Sequence, residues 1–133
     1  MLNALRAGLR GWRYVVLIGS DCPALTARDI LRAVCALRSG CAVAIAPAED
    51  GGYALIALRR VSARIFEGLE WGGAEVFAQT RTRLASLGWR WRELRRVWDV
   101  DRPADVDRYR STTLKRKVGA SHQIEAWRPR FSR

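Results

Sequence analysis

The sequence has few of the residues that build disulfide frameworks or thiolate metal sites. Its 133 residues include one histidine and three cysteines. Cys22, Cys35 and Cys41 are odd in number and lack paired metal-ligand spacing, which predicts reduced thiols in a cytoplasmic protein and argues against a zinc site. Cys22 has no histidine near it in the sequence, so we interpret it as a small packing residue rather than a nucleophile.

Long hydrophobic runs are also missing. The longest apolar stretches, 14–18 and 41–47, are far shorter than the roughly 20 residues that a membrane-spanning helix needs. Residues 1–10 interleave two arginines with leucines, which is not the pattern of a secretory signal. We therefore expect no membrane span and a cytoplasmic location.

Acidic residues are scarce relative to basic ones. The chain has 24 Lys+Arg against 13 Asp+Glu, a formal net charge of +11. Such a balance suits nucleic acid, anionic lipid or a phosphate-bearing substrate. Many of the basic residues lie near the C-terminus, however, where a solvated tail accounts for them, so nucleic-acid binding is only the third alternative for function. These tail residues are Lys115, Arg116, Lys117, Arg128, Arg130 and Arg133.

Strand and helix patterns alternate along the chain. Residues 13–19 and 41–46 are near-continuous apolar runs typical of strands covered on both faces, and 53–58 predicts a third strand. A fourth strand is predicted over 89–97. The first predicted helix ends near Gly11, and the second begins after Thr26. A third is predicted over 73–87 and a fourth, after Pro103, over 104–112. A short helical turn is predicted over 62–67. The second helix is expected to point Ile30, Leu31, Val34, Cys35 and Leu37 inward. In the helix over 73–87 the residues expected to point inward are Val76, Phe77, Thr80 and Leu84.

This order predicts one α/β sheet domain whose ligands bind at the carboxyl ends of parallel strands. Three acidic loops lie at such strand ends, at Asp21, at Asp50 and at the pair Asp99 and Asp101. Each acid could instead serve as a turn or helix-cap residue. Together they suit a divalent ion held by carboxylates from different loops, which neutralises a diphosphate and keeps coordination positions open for it.

Several segments in this order resemble a known bacterial family. They are 15–25 (VVLIGSDCPAL), 47–56 (PAEDGGYALI), Trp71 and 99–106 (DVDRPADV). The chain is similar to the GT-A-like proteins described as radical-SAM- or selenodomain-associated transferases, a domain-of-unknown-function group related in fold to the guanylyltransferases of molybdenum-cofactor and phospholactate pathways. The resemblance implies a three-layer α/β/α, Rossmann-like nucleotide-diphospho-sugar transferase sheet over 1–112. Residues 113–133 are then a basic tail that we expect to be disordered.

The resemblance also implies roles for single residues. Asp21 and Asp101 match metal-binding acids, with Mg²⁺ or Mn²⁺ as the cofactor. Asp50 matches a catalytic position that orients the sugar or the acceptor, and Gly51 and Gly52 match the substrate-side loop. Trp71 is expected either to stack on a sugar face or to serve as a core or lid residue. The implied reaction is glycosyl transfer from a nucleotide sugar to an unidentified acceptor.

The sequence departs from the family pattern in several places. Family members begin with a strand and a phosphate-cradling loop that are not found before Met1, so we expect an N-terminally truncated fold and doubt turnover by this chain alone. Gly72 follows Trp71 where a hydroxyl residue is usual, Arg102 replaces a threonine, and Ala57 replaces a glycine. The alternative to a transferase is therefore a non-catalytic fragment or partner-dependent subunit.

Overall fold

The fold is an alternation of helices and strands, as the sequence pattern predicts. The computed structural model describes residues 1–100 and 103–120. The elements in chain order are α1 Leu2–Gly11, β1 Val15–Ile18, α2 Ala27–Arg38, β2 Val43–Pro47, β3 Tyr53–Leu58, a 3-10 turn Ala63–Ile65, α3 Val76–Ser86, β4 Trp91–Glu93 and α4 Pro103–Ala120.

The strands form one mixed sheet in the order β1-β3-β2-β4. β3 runs antiparallel to both β1 and β2, whereas β2 and β4 are parallel. The expectation of parallel strands therefore holds for β1, β2 and β4 and is wrong for β3. The reason is the short connection 48–52, which allows only a hairpin, because a parallel crossover needs a dozen or more residues.

The two faces of the sheet carry side chains of different size. The face covered by α1 and α3 presents Val43, Ile45, Ile56 and Leu58. The face covered by α2 presents Ala44, Ala46, Leu55 and Ala57. Alternation along β2 and β3 sends successive residues to opposite faces. The result is a three-layer α/β/α arrangement with the sheet in the middle, and the small alanines leave room for α2 to pack closely.

Helix α2 begins after Thr26 as predicted, but it is rotated relative to the predicted packing. Its buried residues are Asp29, Ala33 and Leu37, which lie four apart on one face. Leu31 is 64% exposed and Cys35 is also exposed, so the prediction that both point inward is wrong. The buried face is centred on a small residue because the sheet beneath it is lined by alanines.

Several other element boundaries also differ from the predicted ones. β4 is short, although a parallel bridge between Ala48 and Val97 continues the pairing past it. In α3 the predicted inward residues Val76, Phe77, Thr80 and Leu84 are all buried.

The chain divides into two compact units, Met1–Asp99 and Val100–Arg133. In the second unit α4 continues to Ala120, so the predicted boundary at residue 112 falls inside this helix. Residues 121–133 of the predicted tail lie outside the described residues. Within the described part of the chain, no helix is long and apolar enough to cross a bilayer.

Candidate functional site

Three acidic side chains from three separate loops line one cavity of the first unit. Asp21 follows β1, Asp50 lies in the hairpin between β2 and β3, and Asp99 follows the bridge at Val97. All three border a cavity of about 190 Å³. The cavity lies where β1 and β2 end and β3 begins, so the mixed sheet still brings the predicted loops together.

The strand end at Gly19 allows the Asp21 loop to fold back closely. The Gly19 amide donates a hydrogen bond to the carbonyl of Ala54 on β3 at 2.8 Å. A Cβ atom at Gly19 would lie 2.8 Å from Asp21 Oδ1 and 3.0 Å from Cys22 Sγ. Since any side chain there would displace both neighbours, glycine is needed for this position of the carboxylate.

The Cys22 thiol lines the cavity together with the three carboxylates, which affect its pKa. It is buried, and Sγ donates to Asp21 Oδ1 at 3.5 Å. Burial, the hydrogen bond to Asp21 and the nearby charges of Asp21, Asp99 and Asp50 raise the pKa of Cys22 to about 12. The thiol therefore stays protonated at neutral pH, which fits a packing residue.

The hairpin loop holds Asp50 in place through its own backbone. Asp50 Oδ1 accepts a hydrogen bond from the Gly52 amide at 2.8 Å, an Asx-type turn. Gly52 also lines the cavity. Gly51 has φ +92°, and a Cβ on it would overlap the backbone of Ala74, so only glycine fits this position. Its carbonyl accepts from the amide of Phe77 at 2.9 Å, so Gly51 joins the hairpin to the start of α3.

An aromatic row forms one side of the cavity. Trp71 is 52% exposed, stands edge-on to Tyr53 with ring centroids 6.3 Å apart and stacks on Phe66 at 6.2 Å. Tyr53 and Trp71 both line the cavity. Burial raises the pKa of the Tyr53 hydroxyl, which donates to the sulfur of Met1 at 3.5 Å. The half-exposed indole beside carboxylates can contact an apolar or sugar face.

An ion pair ties the loop after β1 to the segment that leads to Asp99. Asp29 is 1% exposed and accepts from Arg95 Nε at 2.8 Å and from Arg95 Nη2 at 2.6 Å. The same guanidinium donates to the carbonyl of Ala24 at 2.6 Å. Asp29 Oδ2 also accepts from the Thr26 amide at 2.9 Å. The pair connects two of the three acidic loops.

Most of the residues assigned from the resemblance lie together. Asp21, Asp50, Gly52 and Trp71 line the cavity, whereas Gly51 faces Ala74. Asp101 lies outside the described residues. Across the part of the chain that the structure describes, no group of three or more His, Cys, Asp or Glu residues is arranged to hold a metal ion.

Sequence reasoning missed several residues of the cavity wall. Asp99 was recognised as an acid at a strand end but was not assigned to the site, although it lines the cavity. Gly19 and Tyr53 were not assigned to the site at all, although both line it. The position of Tyr53 at the first residue of β3, directly after the glycine-rich loop, was the available signal.

The chain matches the model of one protein family over residues 1–73, described as uncharacterised protein conserved in bacteria (DUF2064). No curated protein matches the chain.

A solved structure with a similar fold is described as a putative nucleotide-diphospho-sugar transferase from Desulfovibrio desulfuricans G20. It is 33% identical with a TM-score of 0.67, and the match covers 74% of this chain and 43% of that one. The chain thus spans less than half the length of this relative. The likeness establishes that the described sheet and helices have a GT-A-like α/β fold.

Proposed function

Because the chain belongs to the DUF2064 family, we propose that its carboxylate-lined cavity serves metal-assisted glycosyl transfer from a nucleotide sugar. The observation that carries the proposal is the convergence of Asp21, Asp50 and Asp99 from three loops on one cavity. The similar structure described as a nucleotide-diphospho-sugar transferase supports the choice of donor. Since the chain spans only part of that relative, the complete activity is itself part of the proposal.

The carboxylates of the cavity supply part of the coordination that a hard divalent cation needs. Carboxylate oxygens are the ligands that Mg²⁺ and Mn²⁺ prefer, and Mg²⁺ is commonly bound by one or two carboxylates together with substrate phosphates. By the family resemblance, Asp21, which lines the cavity, and Asp101 would hold the ion. Bound there, it would neutralise the developing charge on the diphosphate leaving group. A cavity with three carboxylates from separate loops suits an ion whose coordination is completed by the phosphates of its substrate.

The protein's own side chains would orient the sugar and the acceptor. The turn formed by Gly52 fixes the Asp50 carboxylate, whose second oxygen can accept a hydrogen bond from a hydroxyl. Trp71 would contact an apolar face of the bound molecule. The three carboxylates that line the cavity would disfavour a free phosphate and favour a metal-bound one.

Binding of nucleotide sugars in the presence and absence of Mn²⁺, measured by calorimetry, tests the proposal. We expect metal-dependent binding by the wild-type chain and at least a tenfold loss in Asp21→Asn, as removal of a charged ligand predicts. Glu93→Gln on β4, which removes an exposed carboxylate that does not line this cavity, is the matched control and should bind normally. Metal-independent binding, or equal affinity in Asp21→Asn, would contradict the proposed metal site.

Assays of nucleoside diphosphate release and of nucleic-acid binding separate the alternatives. A chain that binds the donor but releases no nucleoside diphosphate with any acceptor is a non-catalytic or partner-dependent subunit. A chain that binds no nucleotide, yet binds nucleic acid with a strong salt dependence, fits the third alternative.

A further inference from the structure

A second and larger pocket lies beside the carboxylate cavity in the first unit. It has a volume of about 530 Å³. This volume falls within the roughly 300–1,000 Å³ of typical small-molecule sites. We call it the outer pocket; its lining residues are Met1, Leu2, Ala63, Phe66, Glu67 and Trp71.

The outer pocket and the carboxylate cavity share a wall. Met1 and Trp71 line both of them. Within the aromatic row, Tyr53 borders the carboxylate cavity and Phe66 borders the outer pocket, with Trp71 in contact with each. A molecule that lies across Trp71 can therefore place one end in each pocket.

The two pockets differ in chemistry. The outer pocket is lined mainly by apolar and aromatic side chains, and among the described residues that line it Glu67 supplies the charged side chain. The carboxylate cavity is lined by three carboxylates, those of Asp21, Asp50 and Asp99. An anionic molecule would be repelled by carboxylates at both ends, whereas a neutral or cationic one would not.

We propose that the outer pocket binds the apolar, ring-sized body of the acceptor, which is a neutral or cationic alcohol or phenol. Its hydroxyl extends past Trp71 and reaches Asp50 in the carboxylate cavity. This inference rests on the proposed transferase function. In the transfer, the acceptor oxygen forms a bond to the anomeric carbon as the bond from that carbon to the diphosphate breaks. The hydroxyl proton passes to Asp50, and the nucleoside diphosphate leaves with the bonding electron pair.

Three probes with the same phenol ring and different charge test the inference: tyramine as the cation, tyrosol as the neutral alcohol and 4-hydroxyphenylacetate as the anion. Their affinities for the full chain are measured by NMR titration without donor. We expect the affinity for the anion to be at least about fivefold lower than that for tyramine, because one or two partly screened negative charges repel it. Equal affinity for tyramine and 4-hydroxyphenylacetate would overturn the charge selection.

Substitutions in the outer pocket test whether the probes bind there. Glu67→Gln should lower the affinity for tyramine towards that for tyrosol and leave tyrosol unchanged, because Glu67 is exposed and only its charge is removed. Ala63→Phe should fill the outer pocket and weaken all three probes. Ala85→Phe, at an exposed position of α3, is the matched control and should bind them normally. Unchanged tyrosol binding in Ala63→Phe, with unchanged tyramine binding in Glu67→Gln, would place the probes elsewhere and overturn the proposal.

Donor binding, measured separately, distinguishes this inference from the function on which it rests. If nucleotide sugars bind and the probes do not, the outer pocket is not the acceptor site and the transferase proposal stands. If the probes bind and no nucleotide sugar does, the acceptor role fails together with the transferase proposal. If both bind, tyrosol should increase release of nucleoside diphosphate, and Ala63→Phe should raise its KM.

Discussion

At the scale of single residues, the most constrained charge is Asp29. It is buried, it receives two hydrogen bonds from Arg95, and these bonds lower the pKa of Asp29 to about 2. Arg95 is half-exposed, with 42% of its side chain accessible, so water can replace part of the lost interaction when the partner is removed. The ion pair therefore contributes less to stability than a fully buried one would.

Replacement of Asp29 by Asn should lower the free energy of unfolding by about 1–2 kcal/mol at pH 7. Because the folded pKa lies below the unfolded one, the stabilisation by Asp29 is present above pH about 4 and is lost as pH falls towards about 2. Urea denaturation between pH 7 and pH 2 should show a wild-type advantage that disappears in acid.

The control for this variant is Asp107→Asn. Asp107 is exposed and lies 3.9 Å from Arg110, so its loss should cost less than about 0.5 kcal/mol. A difference between wild type and Asp29→Asn that persisted unchanged at pH 2 would show that packing, not charge, explains the effect.

At the scale of elements, the distance between α2 and the sheet is set by small side chains. Ala44, Ala46 and Ala57 cover the centre of this face, and Ala33 of α2 packs against them. All of these residues are buried. A larger side chain has no space without moving the helix, and α2 is the element that follows the Asp21 loop.

Substitution of Ala44 by Leu should overpack this layer and lower the free energy of unfolding by about 1–3 kcal/mol. Thermal and urea denaturation measure the change. Ala85→Leu on the exposed side of α3 adds the same atoms without a clash and should change stability by less than about 0.5 kcal/mol. Equal stability of the two variants would contradict a tight α2 layer.

At the scale of the whole molecule, the net charge of +11 contrasts with a carboxylate-lined cavity. A strongly positive protein attracts polyanions without a dedicated site, because released counterions supply the driving force. The charge is therefore a property of the surface as a whole, whereas the candidate site has the opposite sign.

We expect a short labelled DNA duplex to bind with a dissociation constant of about 1–100 µM at physiological salt, without sequence preference. Fluorescence anisotropy at increasing salt should show a steep loss of affinity. Asp21→Asn should not weaken this binding, since the cavity takes no part in it. Nanomolar affinity that survives high salt would instead favour a dedicated nucleic-acid function.

The amino-acid pattern alone predicted the parts of this protein that depend on neighbours in the chain. The bounds of β3, the start of α2 at Thr26 and the inward residues of α3 follow from local periodicity and capping, which act over a few residues. Acids at strand ends could be recognised as site candidates in the same way. The resemblance to a transferase family also rests on such short runs.

Only the tertiary structure decided which of these residues meet. The direction of β3, the row formed by Tyr53, Trp71 and Phe66, and the choice of Asp99 as a cavity residue depend on contacts between distant segments. Asp29 and Arg95 are 66 positions apart, and nothing in either local sequence marks them as partners. Packing brings such pairs together because burial of the sheet faces fixes the positions of the loops. No local sequence pattern encodes which distant residues will then be in contact.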